Sequence, residues 1–232
     1  MEADTPIRRG PDPGYLACGV VGLLLLGFAL GVDFRRAAFG FQSDGATYYS
    51  LAYSLAHDFD FAFERKDLER VWHEFPTGPE GIFLKKGKRV HLGLAGEFPF
   101  LWSTSPDTRD DRLYYAKSFA HPLFAAPFVL LFGTNGFLVF HALLLTLCLV
   151  CGYAWLRATS TSGIAVGYAF AFLFASAAPV YLVWLTPEVF NLALVFLGTF
   201  LWTYKLVAPA EHRGRGPVQS GVAPAGGVCR DL

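Results

Sequence analysis

Long apolar runs, separated by short polar stretches, dominate this chain. Four runs carry no Asp, Glu, Lys or Arg, and they cover residues 15–32, 136–156 (apart from its neutral His141), 163–185 and 189–204. Each is close to the roughly 20 residues that cross about 30 Å of hydrocarbon as a helix. Lipid leaves an open backbone without hydrogen-bond partners, so a helix is the form we expect for each run. The pattern predicts an integral membrane protein.

A fifth apolar run, residues 119–133, is shorter and contains Pro122 and Pro127. A run of this length is more typical of a juxtamembrane or re-entrant helix than of a full span. Basic residues collect on the cytoplasmic side of membranes, and counting four spans with the N-terminus inside places six basic residues on that side, while the loop 33–135 is too long for its own basic residues to set the orientation. The six residues are Arg8, Arg9, Arg157, Lys205, Arg213 and Arg215.

The expected fold is therefore mainly α, a multi-pass transmembrane bundle in the plasma membrane. In this topology, residues 1–14 are a cytoplasmic N-terminus, 15–32 the first transmembrane helix and 33–135 a long extracytoplasmic loop. Residues 136–206 form three further transmembrane helices, and 207–232, rich in Gly, Pro and Arg, form a disordered tail. A cleaved signal peptide fits the first run less well, because the run is long and acidic residues precede it.

Within the loop, two local structures are expected. Apolar residues recur at helical spacing from Tyr48 to Ala56, which predicts a short amphipathic juxtamembrane helix near 44–57, with Ser43 or Asp44 as its N-cap. Its tyrosines would lie at headgroup level on the outer membrane surface. The basic stretch Lys85–Arg89 lies between two apolar segments and predicts a small β-hairpin that turns at Gly87–Lys88.

The composition limits the kinds of ligand and cofactor that we expect the protein to bind. The chain is 53% hydrophobic and 16% aromatic, with a formal net charge of zero. A neutral balance gives no basis for nucleic-acid binding. Cys148 and Cys151 have the spacing of a redox pair, but their apolar surroundings disfavour a thiolate and indicate helix packing. No metal motif is present, and we expect no cofactor.

Asp44 has two interpretations. It is placed to cap the helix that follows it. A carboxylate at the membrane surface can also act as a general base, provided that a substrate hydroxyl comes within hydrogen-bond reach. Spacing alone does not separate these roles, and one residue can fill both.

The order of the motifs resembles the start of a GT-C superfamily membrane glycosyltransferase, similar to protein O-mannosyltransferases and the aminoarabinose transferase of lipid A. The motifs are SDGATYY at residues 43–49, HPLFAAPF at 121–128, and the turn from APVY at 178–181 to TPE at 186–188. The likeness covers roughly residues 15–205. It identifies the chain as the N-terminal portion of such an enzyme.

The resemblance implies an extracytoplasmic reaction with a membrane-bound polyprenyl-phosphate sugar donor and an unidentified hydroxyl acceptor. Asp44 matches the acidic residue of the first loop and would be the catalytic base. Tyr48, Tyr49, Lys117 and Glu188 would bind the substrate, with Lys117 near the lipid phosphate. Gly45 replaces the second acidic residue of many members, which removes one ligand from a divalent-metal version of the motif.

Two other classes of protein remain open at this point. The first is a membrane scaffold or partner subunit without chemistry, in which Asp44 only caps a helix and Glu188 only complements the dipole of the last span. The second is half of a transporter, but the uncharged spans argue against it, because transporters place polar or broken helices at the membrane midplane.

Overall fold

The computed structural model describes residues 12–37, 42–75, 78–88, 91–98, 100–104 and 109–207. Most of the expected N-terminal segment, including Arg8 and Arg9, and nearly all of the expected tail, including Arg213 and Arg215, lie outside the described residues. The helices are α1 Pro13–Gly31, α2 Phe34–Ala37, α3 Ser43–His57, α4 Arg65–Glu74, α5 Ala120–Phe132, α6 Gly136–Arg157, α7 Ser162–Phe174 and α8 Glu188–Val207. The strands are β1 Ala62–Phe63, β2 Leu84–Lys88, β3 His91–Leu94, β4 Leu101–Thr104 and β5 Arg109–Tyr115, and 3-10 turns cover Gly133–Asn135 and Val180–Val183.

Three helical stretches of the described chain are long and apolar enough to cross a membrane. They are Pro13–Gly31, the interrupted stretch Ala120–Arg157, and Glu188–Val207. The run 163–185 was expected to form one helix, but α7 has 13 residues and ends at Phe174. A turn and the 3-10 segment Val180–Val183 follow, in the part of the run that contains Pro179. Proline lacks a backbone N–H and cannot continue a helical ladder, which explains the early end.

Helices α1 and α6 pack side by side in opposite directions. At the N-terminal end of α1, the Asp12 carboxylate accepts hydrogen bonds from Tyr153 (2.6 Å), Ser162 (2.9 Å) and Arg157 (2.9 Å). The Tyr153 hydroxyl contributes most to holding the pKa of Asp12 below its usual range. At the other end, the side-chain amide of Asn135 donates to the carbonyl groups that end α1. The start of α1, the end of α6 and the start of α7 therefore lie together.

The 3-10 turn Gly133–Asn135 separates α5 from α6. Gly133 adopts a φ of 58°, a left-handed value that favours glycine. At Gly136 the two helices come so close that an added Cβ would lie 2.4 Å from the Val129 nitrogen and 2.5 Å from the Phe128 carbonyl. The close approach folds α5 back onto the first turns of α6.

Helix α3 forms at the expected position, but its expected surface location is wrong. Every residue from Ala46 to Ala56 is buried, so no face of this segment is exposed to water. α3 packs on α5, and β1 and α4 cover it from other sides. Small side chains at Ala46, Ser50 and Ala52 suit this close packing on several faces.

The expected hairpin also forms differently. β2 pairs antiparallel with β5, in the order β1–β5–β2, and β3 pairs with β4. Gly87 and Lys88 lie within β2, and the chain reverses near Ala95–Phe100, where the Ala95 N–H donates to the Phe100 carbonyl at 2.9 Å. The predicted turn is wrong because the partner of β2 is a distant strand that local sequence does not reveal.

Candidate functional site

An ion pair between Asp44 and Lys117 forms the centre of the candidate site. Asp44 Oδ1 lies 2.7 Å from Lys117 Nζ, and their side chains are 44% and 25% exposed, respectively. Lys117 Nζ also lies 4.4 Å from the centre of the Phe83 ring, a favourable cation–π position. Two residues that the resemblance selected separately are thus direct partners.

The connection before β2 holds both partners in place. The Ser43 N–H donates to the Glu80 carbonyl at 2.7 Å, and the Phe83 N–H donates to the Thr47 hydroxyl at 3.0 Å. The Ala116 N–H donates to the Phe83 carbonyl at 2.9 Å, which sets the position of the following Lys117. The start of α3 and the end of β5 are therefore fixed by one short segment.

The capping interpretation of Asp44 is wrong. Gln42 occupies the N-cap position without a side-chain hydrogen bond, and Asp44 lies in the first turn of α3. Ser43 has a φ of 54°, an uncommon left-handed value for a residue other than glycine. The Asp44 carboxylate therefore contacts Lys117 instead of the helix backbone, although an acid in the first turn still suits the helix dipole.

Tyr48 lies one helical turn beyond Asp44, on the same side of α3. Burial raises the pKa of the Tyr48 phenol, while the charge of Lys117 lowers it and the charges of Asp44 and Glu188 raise it. These interactions place the phenol within electrostatic reach of all three charged groups. Electrostatic range exceeds contact distance, so Asp44 and Lys117 form the direct contact of the site, and Tyr48 and Glu188 lie in its surroundings.

Glu188 lies at the start of the last helix, α8, near the Asp44–Lys117 pair. It is in the first turn of α8, as the sequence predicted, and its side chain is exposed. A Cβ on Gly45 would lie 3.9 Å from that of Leu185, so the segment before α8 passes directly beside the start of α3. Just before α8, the buried Thr186 hydroxyl has no hydrogen-bond partner among the described residues.

Tyr49, the fifth predicted residue, is not part of the site. Successive residues of a helix point about 100° apart, so Tyr48 and Tyr49 face different neighbours. Tyr49 is 1% exposed, packs edge-on against Phe75, and donates a hydrogen bond to Glu74. Burial is the main cause of its raised pKa.

A buried histidine pair borders the site. The Nε2 atoms of His121 and His141 lie 3.0 Å apart, and His141 Nδ1 lies 3.3 Å from the Leu182 carbonyl. Because a carbonyl only accepts, His141 carries its proton on Nδ1 and accepts from His121 through Nε2. The His121 ring meets Tyr48 edge-on at 5.7 Å. His141 is therefore a buried, hydrogen-bonded packing residue.

Sequence reasoning missed Glu74, which organises a second polar cluster. Its carboxylate accepts hydrogen bonds from the hydroxyls of Tyr49, Tyr53 and Thr134 and thereby ties α3, α4 and the turn before α6 together. One signal could have identified it. Glu74 ends α4, where the helix dipole disfavours an acid, so its position there requires specific donors.

The site can bring an anion and a polar hydroxyl group together at one partly exposed point. Lys117 offers a cation, and Asp44 and Glu188 offer carboxylates that can accept a proton or a hydroxyl hydrogen bond. Within the described residues, no group of three or more His, Cys, Asp or Glu side chains is arranged to hold a metal ion.

No family model matches the chain, and no curated protein or solved structure is significantly similar to it. The site must therefore be interpreted from its own chemistry.

Proposed function

We propose that the chain is a multi-pass membrane protein of the GT-C glycosyltransferase type and transfers a sugar from a polyprenyl-phosphate donor to an acceptor hydroxyl. The observation that carries the proposal is the partly exposed Asp44–Lys117 pair, 2.7 Å long, with Glu188 and Tyr48 beside it. A base and a phosphate-binding cation are the two groups that this transfer requires.

The site lies on the side of the molecule where α8 begins, and Arg157 lies at the far end of α6. With Arg157 on the cytoplasmic side, the site faces the extracytoplasmic side of the plasma membrane. A lipid-linked donor would meet it there at the level of its phosphate. Besides the three membrane-length helices, this placement requires the segment from α7 to the 3-10 turn to cross the membrane between the end of α6 and the start of α8.

Exchange of the ion pair is the proposed first step. The phosphate of the donor competes with Asp44 for Lys117, which binds phosphate well as a point charge. When Lys117 turns to the phosphate, the Asp44 carboxylate leaves the ion pair and is free to accept a hydrogen bond from the acceptor hydroxyl. Donor binding and activation of the base are thereby coupled.

The transfer then proceeds by displacement. The acceptor oxygen forms a bond to the anomeric carbon of the sugar as the bond from that carbon to the phosphate oxygen breaks. The hydroxyl proton moves to Asp44, and the electron pair leaves with the polyprenyl phosphate, whose negative charge Lys117 stabilises. The exposed Glu188 carboxylate accepts hydrogen bonds from the sugar hydroxyls, whereas Tyr48 is 6% exposed and is covered by protein in this structure.

One observation favours a second candidate, a non-catalytic scaffold or partner subunit. The Asp44 carboxylate is already engaged by Lys117, as in a structural ion pair. Exposed pairs stabilise proteins by only about 0.2–1 kcal/mol. Replacing Asp44 should therefore leave the fold intact under both candidates, and only the catalytic one predicts a lost activity.

The test is a transfer assay in membrane vesicles supplied with polyprenyl-phosphate sugars and acceptor lipids. Asp44→Asn should lower transfer by about 100-fold or more, the usual contribution of a general base or larger. Asp111→Asn, which changes an exposed acid on β5, is the matched control and should leave transfer unchanged. Equal transfer by all three proteins, or none from any donor by stably inserted protein, would favour the scaffold.

A further inference from the structure

A second polar cavity opens where α1 ends. It has a volume of about 770 Å³ and is lined by the end of α1, by α2, by Glu74 and by the turn before α6. Asp44 and Lys117 are not among its lining residues. The apolar run of α1 stops at Val32 and the first charged residue follows at Asp33, so the cavity spans the boundary between an apolar and a polar layer.

The lining residues carry both signs of charge. Arg35 and Arg36 are exposed and offer guanidinium groups, while Asp33 and Glu74 offer carboxylates. Arg36 lies 3.4 Å from Asp33, in a pair whose two side chains are 90% and 56% exposed, so water weakens it. The charges balance, which favours a ligand with a positive and a negative group over a simple anion.

Glu74 is the fixed part of this lining. Three hydroxyl groups donate to its carboxylate, from Tyr49, Tyr53 and Thr134. An ionised carboxylate has about four acceptor positions, so the donors in the described part of the chain leave one for a donor in the cavity. The hydroxyl bonds also hold the carboxylate in one orientation, as a binding site requires.

We propose that this cavity binds the headgroup of a phospholipid whose phosphate is joined by two carbons to a primary ammonium, as in phosphatidylethanolamine. Arg35 and Arg36 bind the phosphate, which suits the forked donors of guanidinium groups. The ammonium donates to the free acceptor position of Glu74. The proposal rests on the membrane placement proposed above but not on sugar transfer.

Other phospholipid headgroups distinguish the contact between the arginines and the phosphate from the contact between Glu74 and the ammonium. A choline headgroup keeps the phosphate and the positive charge but has no N–H to donate to Glu74. A glycerol headgroup keeps the phosphate but has no cation. Preference for ethanolamine over both therefore reports the Glu74 contact, whereas binding of all three reports only the arginines.

The experiment measures lipid binding to the full chain by native mass spectrometry, after purification from membranes in detergent. Phosphatidylethanolamine, phosphatidylcholine and phosphatidylglycerol with identical acyl chains are added singly and in competition. Ethanolamine lipid should bind at least about tenfold more tightly than choline lipid, the value of one hydrogen bond to a charged group. Alkaline extraction of the membranes checks insertion independently.

Substitutions test which side chains contact the lipid headgroup. Arg35→Gln with Arg36→Gln should weaken binding of all three lipids about tenfold or more, and Glu74→Gln should remove only the preference for ethanolamine. Lys86→Gln with Lys88→Gln, on the exposed strand β2, is the control and should change nothing.

Three results would overturn the proposal. They are equal binding of the ethanolamine and choline lipids by the unaltered chain, unchanged binding by the arginine variant, and displacement of the lipid by soluble phosphoethanolamine at equal concentration. The last would assign the cavity to a soluble ligand. The comparison of lipids on the unaltered chain stands even if a variant fails to fold.

Discussion

Replacement of Glu74 is the sharpest test of how α3 is held. The hydroxyl groups of Tyr49, Tyr53 and Thr134 donate to its carboxylate and are themselves 1%, 9% and 7% exposed by residue. In Glu74→Ala each hydroxyl loses this acceptor and keeps the bonds that Tyr49, Tyr53 and Thr134 form with one another, and a buried polar group left unsatisfied costs about 1–3 kcal/mol. Water from the adjoining cavity can reach part of the space. We therefore expect Glu74→Ala to lower the free energy of unfolding by about 3–5 kcal/mol.

The assay is unfolding in mixed detergent micelles, followed by tryptophan fluorescence. Glu74→Gln keeps one acceptor oxygen and should cost less, about 1–2 kcal/mol. Glu69→Ala is the matched control, because Glu69 is on the same helix and, within the described residues, pairs only with exposed Arg65. It should change stability by less than about 0.5 kcal/mol. A loss below about 1 kcal/mol for Glu74→Ala would show that the cluster does not hold α3.

Two further predictions concern packing and pH. Gly136→Ala should destabilise the protein by about 2–3 kcal/mol in the same assay, because its Cβ would meet the α5 backbone. Gly198→Ala is the control, because its Cβ would enter open space, and it should be neutral or stabilising. Equal effects of the two substitutions would contradict the close approach of α5 and α6. Burial, and then the bond to Glu74, raise the pKa of Tyr53 from 10.0 to about 12. The unfolded chain therefore releases this proton at lower pH than the folded protein, and stability should fall between about pH 10 and 12. Tyr53→Phe should reduce that slope in unfolding measured across this range, and an unchanged slope would count against the assignment.

The sequence predicted the structure best where the signal was continuous. The uncharged runs of α1, α6 and α8 gave their helices, and the helical spacing after Ser43 gave α3. The sequence failed where partners are distant. Gly87–Lys88 looks like a turn, but β2 continues to Lys88 against β5, with a shift of register between Lys86 and Lys88 where a turn was predicted.

In the candidate site too, local sequence identified single residues but not the contacts between distant ones. Asp44 and Lys117 were selected singly, and their contact depends on how the segment before β2 joins α3 to the end of β5, which no local pattern reports. Tyr49 was chosen because it adjoins Tyr48, but the helical twist turns it toward Glu74. The surface location of α3 was misjudged because its apolar stripe reveals one buried face, while its small residues allow the others to be buried too.

The measurement that tests the central claim most directly is binding of polyprenyl phosphate by Asp44→Asn and Lys117→Gln, compared with the unaltered chain in the same detergent. If the phosphate and Asp44 compete for Lys117, Asp44→Asn frees the lysine and should bind the lipid more tightly. Lys117→Gln removes the cation and should bind it about tenfold or more weakly. Changes of opposite sign would support ion-pair exchange at the site. Unchanged binding in both variants would contradict the account and leave the pair a structural contact.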